Sequence, residues 1–164
     1  MFRKLVWFAV VYTFVVVVVG AFVRLSDAGL GCPDWPGCYG HVTVPDEAHE
    51  LATAQAKFPD QPVEARKGWI EMIHRYFASS LGLLIVAIAV MSWRRRAEGG
   101  QIGLPLFLVA LVVFQGLLGM WTVTLRLYPA VVTAHLIGGM TTLALLIWLL
   151  MRQYRPAVLG SINR

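Results

Sequence analysis

The sequence predicts an all-α membrane protein: a four-helix transmembrane bundle with both termini in the cytoplasm and one long outer loop. Three observations predict it. Hydrophobic residues make up 58% of the 164 positions and charged residues only 14%, far from the balance of a soluble domain. The apolar residues fall in four blocks of about 20 residues, the length that crosses a bilayer core. The basic residues fall mostly on one side of a four-span arrangement. The whole chain, 1–164, reads as one domain.

The first span is expected over 5–23. Its run Val15–Val19 has poor helix propensity in water, but in hydrocarbon every backbone polar group must bond internally, which enforces a helix. Arg3 and Lys4 precede it, as in a signal peptide. The block is long for that role, however, and "VGAFVR" is a poor small-x-small cleavage site. The second span is expected over 69–93, the third over 102–124 and the fourth over 130–151.

Arg3, Lys4, the run Arg94-Arg95-Arg96, Arg152, Arg155 and Arg164 lie on one side, which the positive-inside rule assigns to the cytoplasm. The tail 152–164 is then cytoplasmic. The outer loop 25–68 is then periplasmic, in a multi-pass protein of the bacterial inner (plasma) membrane. The formal charge of +5 reads as anchoring to anionic lipid headgroups rather than to nucleic acid, since no folded basic surface stands behind it.

The outer loop is too long for a simple connection. It opens with the turn-rich stretch "GLGCPDWPGC", which holds both cysteines, Cys32 and Cys38. An oxidising compartment favours a disulfide between them. So small a ring gains only roughly 2 kcal/mol from chain entropy. A redox pair that passes electrons is the alternative. His41 and His49 are conceivable metal partners, although loop histidines are more often simply solvated. Further on, Ala48, Leu51, Ala52, Gln55 and Phe58 share one rough helical face after Asp46, predicting a short amphipathic helix on the membrane surface or over the bundle.

Ionisable groups inside a span are costly and usually functional. Glu71, His74 and His135 stand out. Glu71 and His74 are three apart and share a helix face. His74 lies about 7 Å below Trp69 and His135 about 9 Å below Pro129, at about 1.5 Å per residue. The two imidazoles are thus at matched depth near the outer surface. Ala78 and Gly82 follow His74 on its face, Gly138 and Gly139 follow His135, and Gln115, Gly116 and Gly119 repeat the small-residue pattern on the third span. Such residues leave room for a flat macrocycle, although glycines also serve close helix packing. Two histidines so placed read as axial ligands of one haem between the second and fourth spans. Arg24, Arg75 and Arg126 fall near the outer interface, where haem propionates want cationic partners, or where arginines merely snorkel.

The segments "GAFVRLSDAGLGCPDWPGCYG", "EMIHR" and "QGLLGMWTVTLRLYPAVVTAHLIGGM" together resemble haem A synthase, the membrane enzyme of cytochrome oxidase assembly. The likeness runs from Gly20 to about Met151 and matches the first four-helix half of that family, the half that bears the carboxylate. The resemblance implies oxidation of the ring methyl of haem O to a formyl group. It implies Glu71 as the catalytic carboxylate, His74 and His135 as haem iron ligands, and Cys32 and Cys38 as the outer-loop pair close to the haem edge. The haem is haem O as substrate, with a haem b in the second half of common members. A four-helix chain implies a homodimer or a missing second half. Partners implied are haem O, membrane lipid, haem O synthase and cytochrome oxidase assembly factors. The competing classes are a b-type cytochrome or haem carrier without catalysis, a membrane thiol oxidoreductase using the cysteine pair, and an assembly protein whose histidines only pack.

Overall fold

The computed structural model describes residues 1–98 and 102–154. Arg155, Arg164 and the tail beyond Tyr154 lie outside the described residues. Four long helices carry the architecture: α1 (Phe2–Leu25), α3 (Ala65–Arg94), α4 (Gly103–Thr124) and α5 (Pro129–Arg152). All four are long and apolar enough to cross a membrane, and the described residues contain no named strand. A short helix, α2 (Ala48–Lys57), lies within the long loop between α1 and α3.

Each long helix packs against two neighbours, in the cyclic order α1, α3, α4, α5. Consequently α3 and α5 stand on opposite corners, with no packing between them among the described residues. Whatever projects inward from those two helices faces across the bundle axis.

One end of the bundle carries Arg3, Lys4, Arg94, Arg95, Arg96 and Arg152. The Arg3 guanidinium lies 5.0 Å from the Tyr154 ring centroid, and that of Arg95 lies 5.5 Å from the ring of Phe2. These contacts tie the start of α1 to the ends of α3 and α5. The half of the bundle nearer that end holds the main apolar core, built from Val6, Ala9, Ile85, Ile88, Leu108 and Leu146 among others. The outward faces carry large exposed apolar side chains, including Trp7, Phe14, Leu83, Phe107 and Ile137. In water such a surface would aggregate; in lipid it is solvated.

The other end is capped by a second, smaller core of Cys32, Cys38, Tyr39, Val44, Ala54 and Met72, with Phe58 and Val63 packed beside it. Here α3 begins at Ala65, before the apolar block proper, so its first turn rises out of the span to meet the loop. Helix α2 docks differently from the expected face. Ala54 is fully buried, whereas Ala48, Leu51, Ala52 and Gln55 are exposed. The helix packs onto the cysteine loop through one small residue, Ala54, followed by Phe58, and the rest of the expected face points away from that loop. Its start is held by Glu50, whose carboxylate accepts the Asp46 backbone N–H at 3.2 Å. That bond holds the Glu50 carboxyl below the usual range.

Candidate functional site

The cysteine loop is seated on the first turns of α3 through glycines. Cys32 and Cys38 are joined by a disulfide, with an S–S distance of 2.02 Å, and both are fully buried. A Cβ on Gly68 would lie 3.6 Å from Cys38 Sγ and 3.1 Å from both Val44 methyls, so α3 offers the disulfide a bare patch of backbone. Gly31 in turn lies against the backbone of Lys67 and Gly68. Within the loop, Asp34 accepts the backbone N–H of Tyr39 at 2.6 Å and that of Gly40 at 2.8 Å, closing the turn. Gly40 needs its glycine, with φ +82°. Sequence reasoning missed Asp34 in this role; an aspartate followed by a Pro-Gly turn was the available signal.

Glu71 and Arg75 fasten this loop to α3. Glu71 is 4% exposed. Its Oε2 accepts the Cys32 backbone N–H at 3.0 Å, and its Oε1 accepts from Arg75 Nη2. Arg75 Nη1 donates to the backbone carbonyls of Asp34 at 3.1 Å, Pro36 at 3.2 Å and Gly37 at 2.6 Å. The pair thus binds donors and acceptors of one loop, and neither charge is buried without partners. Arg75 is thereby engaged with the loop. The side chains of Arg24 and Arg126 are exposed and make no hydrogen bond or ion pair among the described residues. Trp35 is also exposed, at the rim of the loop.

One turn along α3 from Glu71, His74 points to a different neighbour. Its ring lies on Gly20 of α1, where a Cβ would sit 2.8 Å from Cε1 and 3.3 Å from Nε2. On the opposite corner, His135 of α5 lies on Gly119 of α4, whose Cβ would sit 3.5 Å from Cε1. Each imidazole is therefore bedded on a glycine of an adjacent helix. Gly119 belonged to the small-residue pattern noted on the third span; Gly20, a lone glycine closing a valine run, is the residue that pattern missed.

The space expected below His135 is only partly open. The Gln115 side chain occupies the place where a Gly138 Cβ would be, and Gly139 faces Val17 and the same glutamine. The cause is that a long amide on α4 reaches across a helix contact that small residues on α5 make close. Gly82 and Gly116 have nothing within 4 Å of a built Cβ.

Three buried polar atoms meet at this level without a partner among the described residues: Nδ1 of His74, Nδ1 of His135 and Nε2 of Gln115. Unsatisfied buried polar groups are rare and call for an explanation. Two imidazoles on helices at opposite corners, each bedded on a glycine of a neighbouring helix, fit the donor set of a bis-histidine haem. His41 and His49 take no part in the site: His41 pairs with Glu50 at 3.6 Å and His49 with Glu47 at 3.2 Å, both in the loop. Among the described residues no cluster of three or more His, Cys, Asp or Glu could hold a metal ion by itself. A haem needs only two histidines because the porphyrin supplies the remaining ligands.

Residues 3–163 match the family described as cytochrome oxidase assembly protein, COX15-CtaA. The chain is 51% identical to the haem A synthase of Shewanella oneidensis over 151 residues, covering 92% of this chain and 45% of that protein. It is 30% identical over 122 residues to the haem A synthase of Shouchella clausii, covering 73% of this chain and 35% of the relative. A protohaem IX farnesyltransferase 1 of Natronomonas pharaonis is 30% identical over 146 residues, covering 89% of this chain and 27% of that protein. The chain thus spans less than half the length of each of these three relatives.

Proposed function

The chain belongs to the COX15-CtaA family of cytochrome oxidase assembly proteins, and from that premise we propose that it serves haem A biosynthesis as an oxidoreductase of the haem O ring methyl. The observation that carries the reading is the pair of histidines on helices at opposite corners, each ring bedded on a glycine of a neighbouring helix. A haem held there would supply the iron for the histidines to ligate and, as haem O, the ring methyl that is the site of oxidation. His74 and His135 hold and orient it between α3 and α5. Glu71 handles a proton at the substrate methyl. Its two oxygens are held in place by the Cys32 N–H and Arg75, so its carboxylate is positioned before substrate arrives, and little reorganisation remains to be made. Arg24 and Arg126, exposed at the loop end, are the candidates for propionate contacts, since Arg75 is occupied by the loop.

The cysteine pair reads as a staple of the cap. Thiol exchange needs an attacking thiolate to reach a sulfur, and both sulfurs are fully buried. This burial weighs against the thiol oxidoreductase alternative. The loop end is proposed to face the periplasm and the basic end the cytoplasm of the bacterial inner membrane. The other haem site would be supplied by a second copy of this chain or by the second half that its full-length relatives have room for. Haem O synthase is a natural partner, since the Natronomonas relative bears a farnesyltransferase name and most of its length lies outside the match.

The test is co-expression of this chain with a source of haem O, followed by extraction and chromatography of the haems. Haem A is expected from the native chain. Glu71→Ala is expected to retain haem yet accumulate haem O, and an undiminished haem A yield would remove its catalytic role. His74→Ala and His135→Ala should each weaken haem retention; an unaltered visible spectrum in both would overturn ligation. A native chain that binds haem O without converting it would favour the haem-carrier alternative.

A further inference from the structure

We propose that Gln115 is a specificity-determining residue of this haem site: its side-chain amide hydrogen-bonds the hydroxyl that haem O carries where its farnesyl tail joins the ring, and that protohaem lacks. The inference rests on the haem-site reading above and names what that site discriminates.

Gln115 is 9% exposed, and its Nε2 is buried without a partner among the described residues. It lies against Gly138, three residues after His135 and so about one helical turn, about 4.5 Å, along α5 towards the basic end. The amide therefore sits just inward of the histidine level. Two other buried polar side chains of the bundle interior are already satisfied. Thr13 Oγ1 donates to the Ala9 carbonyl at 2.7 Å, and Thr142 Oγ1 donates to the Gly138 carbonyl at 2.9 Å. Gln115 alone among these three keeps a donor free.

Charge decides which way round a haem stands. The propionates go to the loop end, where water and the exposed Arg24 and Arg126 are found. The opposite edge of the ring then meets the apolar core of Leu81, Ile85, Leu108 and Leu146, which suits a farnesyl chain. That edge carries one polar feature in haem O, the hydroxyl at the root of the tail. A hydroxyl both accepts and donates, so it can accept a hydrogen bond from Nε2–H and donate one to Oε1. Protohaem offers only a vinyl group at that place and would leave the amide unpaired. The amide Nε2 is unpaired among the described residues of the free protein as well, so protohaem gains nothing there, and the site prefers haem O by the worth of the added hydrogen bond.

The experiment titrates the purified full chain in detergent with haem O and, separately, with protohaem, following the haem absorption band. Gln115→Leu and Gln115→Met are each expected to lower the affinity for haem O about fivefold to tenfold, the worth of one neutral hydrogen bond, and to leave protohaem within about twofold. Equal losses for both haems would mark a packing role on Gly138 and overturn the proposal, as would no change for either. The native chain gives a measurement free of any folding defect. If it binds haem O no more tightly than a farnesylated haem without the hydroxyl, Gln115 does not read that group. If the native chain binds neither haem, the haem-site reading itself falls, and this proposal with it. Binding of both haems with no preference overturns the specificity while leaving the site.

Discussion

At Gly20 a single hydrogen atom decides where a histidine ring can lie. A Cβ there would come within 2.8 Å of His74 Cε1, closer than real contacts allow, so any larger residue must displace the ring. Gly20→Val should therefore keep the helices, by far-ultraviolet circular dichroism, yet weaken haem retention about tenfold to a hundredfold, as disturbed supports of a metal ligand do. Gly116→Val, at a site with nothing within 4 Å of the added atom, is the matched control and should retain haem. Tyr39 gives a residue-scale prediction in the cap. It is 2% exposed, and its hydroxyl donates to the Pro62 carbonyl at 3.0 Å. Burial first, then the charges of Glu64, Asp34 and Glu71, push its phenol above the ordinary value of 10.0. A folded value above the unfolded one stabilises the protonated cap. That stability is complete below the unfolded value and is lost as pH rises through the folded one. The cap should thus loosen only above about pH 10, seen as tyrosinate absorbance rising with loss of near-ultraviolet dichroism. Tyr39→Phe should remove that alkaline step.

At the scale of elements, the cysteine loop and the first turns of α3 behave as one piece. The disulfide rests on Gly68, Glu71 takes the Cys32 N–H, and Arg75 takes three loop carbonyls. The loop contributes backbone groups that would otherwise be orphaned, and α3 contributes the Glu71–Arg75 pair that satisfies them. Opening the disulfide removes one of several fastenings, worth roughly 2 kcal/mol for so short a loop. Cys32→Ser is accordingly expected to speed proteolysis within the loop while haem A formation continues in the presence of a mild reductant. Complete loss of haem A with the loop still protected would instead assign the pair an electron-carrying role. The glutamate at the start of "EMIHR" was legible as a functional group, but its attachment to the loop was not. Nothing in a spacing of three residues tells that Glu71 turns outward to the cap while His74 turns sideways to α1.

For the whole molecule, the cyclic packing order places α3 and α5 on opposite corners, which lets two histidines far apart in sequence share one axis. The contacts of Arg3 with Tyr154 and Arg95 with Phe2 tie together the end opposite the cysteine cap, where Lys4, Arg94, Arg96 and Arg152 also lie, while nearly all the acids lie at the cap. This polarity gives a prediction about orientation. In intact cells a membrane-impermeant thiol reagent should label Glu47→Cys at once and Lys4→Cys only after lysis. The reverse pattern would invert the proposed topology.

The sequence by itself determined the four helices and singled out the candidate residues for the chemistry. Long apolar blocks have one solution in lipid, and Glu71, His74 and His135 are conspicuous because hydrocarbon tolerates so few like them. Tertiary structure alone decided who meets whom. Gly20 beneath His74, Gln115 in the space of Gly138, Ala54 as the docking point of α2 and Asp34 closing the turn are contacts between segments distant in sequence or set by loop geometry. A periodic pattern fixes which face a side chain occupies. It carries no information about the neighbour that face will find, because that depends on helix order, rotation and depth together.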